Sequence, residues 1–265
     1  MARFRKKPAA ASRGAVGDVM SLTQHLSELR RRIVISVLAV ASCSVGVLVF
    51  YDPILRFLQQ PYSKVCRKES FGCTGDFLLT DPLSGIGTRM RISGWGGLVF
   101  ALPIVLWQIW MFVVPALKAK EKRYAIPFVA SSVVLFAAGA SIAYLTLDKA
   151  LDFLISWAGG PFTVSFTADK YIRLVILMML AFGAGFLFPV LQVFLMLAGV
   201  VNTRQLLGWW RQAIVVIVGF AAVITPSGDP ISLFALAGPM WVFYFVAIGI
   251  GHLLTRKRNT NLPPA

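Results

Sequence analysis

Acidic and imidazole side chains are scarce in this chain. Its 265 residues hold 11 Asp and Glu and two His, beside 26 Lys and Arg. The central parts of its long apolar runs hold no ionisable side chain. Proton relays, ion pathways and membrane-embedded hydrolases usually place such side chains there. Metal-ligand spacing, a nucleophile–base pair and a Gly-rich phosphate loop are also missing, so we expect neither an enzyme nor a metal or cofactor site.

Cysteine is rare as well, with three residues in the whole chain. Cys43 falls inside an apolar run and is expected to pack there. Cys66 and Cys73 lie seven residues apart in a polar segment that we place outside the membrane. In an oxidising compartment this spacing allows a local disulfide. Two free thiols are an equally acceptable interpretation of the sequence.

Hydrophobic residues make up 57% of the chain and charged residues 14%, which is typical of a polytopic membrane protein. We therefore predict an all-α fold with six membrane spans, at residues 33–50, 92–114, 124–147, 171–200, 212–224 and 231–251. The fifth span is only about 20 Å long at 1.5 Å per residue, less than the ~30 Å hydrocarbon core. The last two spans are accordingly predicted to form a short hairpin.

Proline and glycine mark further boundaries along the chain. A short interfacial helix is predicted over 52–60 and ends at Pro61. Pro103 is expected to kink the second span, Pro189 to interrupt the fourth, and Pro239 to break the sixth near its middle. A second interfacial helix is predicted over 151–157.

The net charge of +15 is distributed unevenly over the chain. Segments 1–32, 115–123, 201–211 and 252–265 contain 17 of the 26 basic residues and 3 of the 11 acidic ones. Basic residues concentrate on the cytoplasmic side of membrane proteins, so both termini are predicted to be cytoplasmic. The expected organisation is a disordered basic tail (1–19), a membrane domain (20–251) and a cytoplasmic basic tail (252–265). No basic stripe interleaved with aromatics indicates a nucleic-acid partner.

An amphipathic helix is predicted just before the first span. Apolar side chains recur on one of its faces at Leu22, Leu26, Leu29 and Ile33. Ser21 with Gln24 three residues later reads as a capping box that starts this helix.

Two carboxylates stand among cations on the predicted inner side, Glu28 and Glu121. They could form local ion pairs only, such as Glu28 with Arg31 or Arg32, each worth about 0.2–1 kcal/mol. The other interpretation is that both carboxylates form a docking site for a cationic peptide.

Four groups of residues together resemble a known family. They are His25-Leu26-x-Glu28-Leu29-Arg30-x-Arg32; Pro103 followed by Gln108-x-Trp110-x-Phe112-x-x-Pro115-Ala116-Leu117 and Glu121-Lys122-Arg123; Phe182-Gly183 with Phe186-x-x-Pro189-Val190; and Thr225-Pro226 with Asp229. In this combination the chain resembles the TatC family, the receptor subunits of twin-arginine protein translocases. The resemblance covers about residues 20–250. Leu187 departs from the family, which often has a polar residue there.

The resemblance implies a concave six-helix protein in the cytoplasmic membrane that binds signal peptides of folded proteins. Glu28 and Glu121 would receive the paired arginines of the signal. Further signal-peptide contacts are implied for His25, Leu26, Arg30, Arg32, Phe112, Lys122 and Arg123. Structural or partner roles are implied for Pro61, Gln108, Gln192, Thr225 and Asp229. Implied partners are single-span TatA and TatB subunits in homo- and hetero-oligomers, with transport driven by the proton motive force.

A small-molecule secondary transporter is the main alternative function. Such proteins favour inverted repeats and polar sites near the midplane of the membrane. The two halves of the chain, 20–123 and 124–251, show no convincing repeat, and their spans are apolar at the centre. A membrane scaffold with no dependence on Glu28 or Glu121 is the third possibility.

Overall fold

The structure is a computed structural model that describes residues 22–67, 77–78, 81–113, 125–158, 166–225 and 228–259. Within these ranges the fold is all-α, as predicted. The helices are α1 (Leu22–Val49), α2 (Tyr51–Cys66), α3 (Ser84–Val113), α4 (Ala125–Ala158), α5 (Ala168–Gly185), α6 (Phe188–Leu197), α7 (Thr203–Gly208), α8 (Trp210–Ile224) and α9 (Pro230–Asn259). The predicted tail 1–19 lies outside the described residues.

Five apolar helical segments of the described chain are long enough to cross a membrane. They are His25–Val49, Ser84–Phe112, Ile126–Trp157, Ala168–Leu197 and Pro230–Leu253. A sixth apolar helix, α8, has only 15 residues, which correspond to about 22 Å. The six predicted spans are therefore present. Of the last two predicted spans only the fifth, α8, is short, since α9 continues for 30 residues in one helix.

The effect of proline differs from one site to the next. Pro189 does interrupt its span: α5 ends at Gly185, and α6 begins at Phe188 with Pro189 in its first turn. The prediction that Pro61 ends a helix was wrong, because α2 continues to Cys66. Pro61 is buried together with Tyr62 and Val65 in the next turn, and this packing offsets the lost hydrogen bond.

Two further helix boundaries differ from the sequence-based expectation. The predicted break at Pro239 is absent, since α9 is continuous across it. Long apolar helices packed on neighbours can continue past a single proline, which explains why this break does not occur. The kink expected at Pro103 stays a prediction, since Pro103 lies inside the single helix α3. Residues 151–157 form the last turns of α4 and not a separate interfacial helix.

Helix packing places α1 at one side of the fold, where it lies mainly against α3. The main core lies between α4, α5 and α9 and includes fully buried Leu147, Ile172, Phe182, Leu236 and Met240. Both α6 and α8 also pack on α9.

The crossing of α1 and α3 is close because Gly97 has no side chain. A Cβ atom at this position would overlap the Ser44 side chain and lie 2.6 Å from both Cα and N of Ser44. Small residues at a crossing let two helix backbones approach each other, which is a common device of membrane helices. Gly97 therefore allows the close approach of α1 to α3.

Aromatic side chains close the end of the bundle that carries the predicted outer segments. Tyr62 of α2 packs on Phe77, Phe166 and Tyr171, with ring centroids 5.3–5.5 Å apart. The Tyr171 hydroxyl donates to the Leu58 carbonyl at 2.8 Å. Cys66 at the end of α2 is disulfide-bonded and Cys43 is free, whereas Cys73 lies outside the described residues.

Candidate functional site

The candidate site is centred on Glu28, where α1 meets α3. Arg32 donates to Glu28 Oε1 from Nη2 at 2.7 Å and from Nε at 3.3 Å. Arg32 Nη1 donates to Gln108 Oε1 of α3 at 3.0 Å. One guanidinium thus joins a carboxylate on its own helix to an amide on the neighbouring helix.

Helix geometry explains this cluster. Glu28 and Arg32 are four residues apart and so lie on the same face of α1. Their side chains are 25% and 19% exposed, which makes the pair stronger than an ion pair at a fully solvated surface. Of the two partners that the sequence allows for Glu28, Arg31 and Arg32, the structure selects Arg32.

A pocket of about 490 Å³ opens beside this ion pair. Its lining includes Ser27, Glu28 and Arg31 from α1 and Gln108 from α3. Gln108, to which the family resemblance assigned a structural or partner role, therefore belongs to the same site as Glu28. In the sequence, Gln108 is known only as the residue five positions after Pro103, and this spacing does not indicate its contact with Arg32. The contact depends on how α1 crosses α3.

Two other predicted site residues meet at the same end of the two helices. The rings of His25 and Phe112 stack with their centroids 4.4 Å apart. Leu26 is 63% exposed, and Arg30 is also exposed beside it on a shallow groove of α1. His25 and Phe112 thus stack at the same end of α1 and α3 as Glu28 and Gln108, whereas Leu26 and Arg30 line a neighbouring groove that does not include Glu28. Glu121, Lys122 and Arg123 lie outside the described residues.

Gln192 of α6 is buried and binds the neighbouring helix. Its Nε2 donates to the Tyr244 carbonyl of α9 at 3.3 Å, while its Oε1 has no partner among the described residues. The Tyr244 hydroxyl in turn donates to the Leu206 carbonyl of α7 at 2.6 Å. These contacts connect three helices, as polar side chains between membrane helices commonly do.

Thr225 and Asp229 shape the turn between α8 and α9. The Thr225 hydroxyl donates to the Ala221 carbonyl at 2.6 Å. Asp229 is fully buried and precedes Pro230, and its Oδ2 accepts the Ser232 N–H at 2.6 Å. Asp229 is therefore the N-cap of α9, with proline in the first helical position that suits it. Gly228 has a φ of 61°, which makes this sharp turn possible without strain.

Replacing Asp229 by Ala is expected to lower the free energy of unfolding by about 1–2 kcal/mol, because the Ser232 N–H loses its acceptor. Thermal unfolding of the purified protein in detergent measures this loss. Asp148→Ala, in the interior of α4, is a control that removes a carboxylate without removing an N-cap. Equal stability of both variants would contradict the capping role.

An ion pair that the sequence did not predict connects α3 to α5. Arg91 Nη1 bonds Asp169 Oδ1, and both side chains are about one third exposed. Asp169 lies in the first turn of α5, where a carboxylate also interacts favourably with the helix dipole. No sequence signal could pair residues 78 positions apart. Near the same end of α3, Arg89 lies 4.7 Å from the ring centroid of Tyr51, whose pKa is raised mainly by burial.

A second pocket, of about 450 Å³, lies between α4, α6 and α9 and is almost entirely apolar. Phe128 of α4 is part of its wall and stacks on Trp110 of α3 at 4.8 Å. Trp110 is two residues from both Gln108 and Phe112. The apolar pocket and the Glu28 site are thus connected through α3.

Comparison with known proteins gives a consistent result. The family model described as "Sec-independent protein translocase protein (TatC)" matches residues 24–239. The chain is 38% identical to the Sec-independent protein translocase protein TatC of Frankia casuarinae, over 90% of this chain and 67% of the relative. It is 36% identical to the TatC of Synechocystis over 89% of each chain.

Among solved structures, a crystal structure of the twin arginine translocase receptor TatC in DDM is similar with a TM-score of 0.69 and 30% identity. The similarity covers 86% of this chain and 99% of that chain. A match that spans the membrane helices in both sequence and structure identifies the family. The chain belongs to the TatC family of Sec-independent protein translocase proteins.

Proposed function

We propose that this chain is the signal-peptide receptor and assembly core of a twin-arginine translocase, and that Glu28 receives an arginine of the signal. The observation that carries the proposal is the part-buried carboxylate of Glu28 at the crossing of α1 and α3. The similar crystal structure is that of a twin arginine translocase receptor, which supports the same role. Such a protein transports and does not catalyse a chemical reaction.

Guanidinium chemistry suits this carboxylate. An arginine can present two parallel N–H donors to a carboxylate, whereas a lysine ammonium is a more strongly hydrated point charge. A signal with paired lysines should therefore bind more weakly than one with paired arginines. Glu121, with Lys122 and Arg123 beside it in sequence, is proposed to supply the second carboxylate.

The surroundings of Glu28 fit the rest of a signal peptide. The stacked His25 and Phe112 rings and the exposed Leu26 offer apolar surface next to the charged site. The apolar pocket between α4, α6 and α9 is proposed to contact the apolar part of the signal further into the membrane. Arg30 and Arg32 are proposed to position the carboxylates.

The short helix α8 and its neighbour α9 are proposed as the surface for single-span TatA and TatB subunits. Val215, Val223 and Phe234 are more than 70% exposed there. Because α8 is shorter than the ~30 Å hydrocarbon core, it would thin the bilayer locally, which would favour passage of a folded protein. We place both termini in the cytoplasm, with homo- and hetero-oligomers in the cytoplasmic membrane and the proton motive force as driving energy.

Photocrosslinking to a nascent protein with a twin-arginine signal tests the receptor role. A photoreactive residue at position 27 lines the Glu28 pocket and leaves the carboxylate intact. The control position is Val45, equally on α1 and 64% exposed, but about 27 Å further along the helix. We expect adducts from position 27 with the arginine signal and few with its twin-lysine version.

Position 121 should give the same arginine-dependent adducts if Glu121 belongs to the site. Two results would contradict the receptor role: equally abundant adducts from positions 27 and 45, or equally abundant adducts with the twin-arginine and twin-lysine signals. A transporter or scaffold would then be the better interpretation.

A further inference from the structure

We propose that Arg32 is a built-in ligand of Glu28, held in place by Gln108, and that a signal arginine binds by displacing it. This inference rests on the proposed receptor function and adds to it the way in which the site is kept closed. Arg32 is thereby a competitor of the signal, and Gln108 is a positioning residue that acts through Arg32.

The geometry resembles the contact that a signal arginine would make. All three guanidinium nitrogens of Arg32 donate hydrogen bonds, two to Glu28 Oε1 and one to Gln108 Oε1. Its side chain is 19% exposed and is therefore more enclosed than the carboxylate it binds. The unoccupied site thus already satisfies Glu28 with a guanidinium.

Gln108 explains why Arg32 and not Arg31 fills this position. Both arginines line the same pocket, and both are close enough in sequence to reach Glu28. Arg31 is exposed and makes no ion pair within the described chain, whereas Arg32 has an acceptor on the adjacent helix. The amide of Gln108 therefore selects one of two equivalent cations and fixes its orientation.

The arrangement of oxygens leaves a route for exchange. The described contacts of Glu28 all fall on Oε1, so Oε2 remains for a first contact with an incoming guanidinium. Arg31 and Arg32 already supply two positive charges to the pocket that Glu28 lines. A further cation added beside Arg32 would be repelled, so replacing Arg32 is the favourable course.

Competition of this kind has a specific thermodynamic consequence. The cost of displacing Arg32 is the same for every cationic ligand, so it weakens arginine and lysine signals by an equal factor. The ratio of the two dissociation constants is therefore unchanged. A peptide binds only if its interactions with the site outweigh the cost of displacing Arg32. The arginine preference itself comes from the fit of the guanidinium to the carboxylate.

Peptide binding to the full-length chain in lipid nanodiscs tests the proposal. Two fluorescent peptides with the same apolar segment, one with paired arginines and one with paired lysines, are titrated against wild type, Arg32→Met and Gln108→Leu. We expect Arg32→Met to bind both peptides about five- to tenfold more tightly, with an unchanged arginine-to-lysine ratio. Gln108→Leu should tighten both about two- to threefold, because Arg32 loses one of its three bonds.

Two comparisons separate displacement from simpler effects. Arg31→Met removes the same charge from the same pocket without freeing Glu28, so it measures the effect of the lost positive charge alone and should tighten binding less than Arg32→Met does. In the Arg32→Met background, Gln108→Leu should have no additional effect, because Gln108 acts only through Arg32.

The overturning results are distinct. Weaker binding by Arg32→Met, an equal gain in Arg31→Met, or an altered arginine-to-lysine ratio would each reject the built-in ligand. If Arg32→Met does not insert, Gln108→Leu decides alone, since it keeps every charge, and unchanged or weaker binding then rejects the proposal. If wild type binds both peptides no better than a peptide without either pair, the receptor function itself fails.

Discussion

Replacing Glu28 by Gln is expected to reduce export of twin-arginine substrates about a hundredfold while the protein still inserts. The amide has nearly the same volume as the carboxylate, so helix packing is preserved. The charge that pairs with a guanidinium is lost, and a hydrogen bond to a charged group contributes about 1.5–3 kcal/mol, of which the upper value corresponds to about a hundredfold. Among the residues that the structure describes, Arg32 would then keep the Gln108 side-chain oxygen as its charge-neutral acceptor.

A reporter protein with a twin-arginine signal measures this effect by its appearance outside the cytoplasm. Membrane fractionation of the same cells shows whether the variant is inserted. Asp52→Asn is a suitable control, because it neutralises an exposed carboxylate in the first turn of α2, outside the pocket that Glu28 and Gln108 line. Normal export by Glu28→Gln would reduce the Glu28–Arg32 contact to a local ion pair and would remove the main support for the receptor site.

Replacing Gly97 by Ala is expected to produce the second large effect, a loss of about 3 kcal/mol in the stability of the helix bundle. A new methyl group at this position overlaps Ser44, and two of the three nearest atoms belong to the Ser44 backbone. A side chain can relieve a clash by changing its rotamer, whereas backbone atoms move only with their helix. We therefore expect α1 to move away from α3. Overpacking of this kind typically costs about 1–3 kcal/mol, and at a helix crossing it is spread over the whole contact.

Gly94→Ala is the matched control on the same helix. Nothing lies within 4 Å of a Cβ atom at Gly94, and both substitutions bring the same gain of about 1 kcal/mol in helix propensity. Thermal inactivation in detergent should therefore show a stabilised or unchanged Gly94→Ala beside a strongly destabilised Gly97→Ala. Adding Ser44→Gly should rescue little, because the backbone clash remains. Similar stability of the two alanine variants would contradict a close crossing at Gly97.

Sequence patterns predicted the helices of this fold well and their ends less well. Hydropathy located all six apolar helices, because the thickness of a membrane fixes the length of apolar chain that crosses it. Proline was a poor guide to their ends: Pro189 interrupts a span, while Pro61 and Pro239 lie inside continuous helices. The difference comes from packing against neighbouring helices, which one sequence does not display.

The part of the candidate site that lies on α1 was predictable, because its residues are close together in sequence. Glu28 could be singled out as an acid among arginines, and helix periodicity placed Arg31 and Arg32 within its reach. The selection of Arg32 depends on Gln108, 76 residues later, and hence on the crossing of two helices. The same limitation applies to the ion pair between Arg91 and Asp169, which only the folded chain brings together.

The peripheral position of α1 has a consequence for how this protein is made. In the most apolar part of α1, 6% of the residues are buried, and its main contact, α3, is synthesised only after α1 and α2 are complete. During that interval α1 must remain in the lipid mainly through its own hydropathy, with only its minor contact to α2 available. The pocket around Glu28 does not exist at this stage, since Gln108 has not yet been added. Newly made chains are therefore expected to complete the proposed receptor site only when α3 docks on α1, and a chain stalled before that point should carry an inserted α1 with an incomplete site.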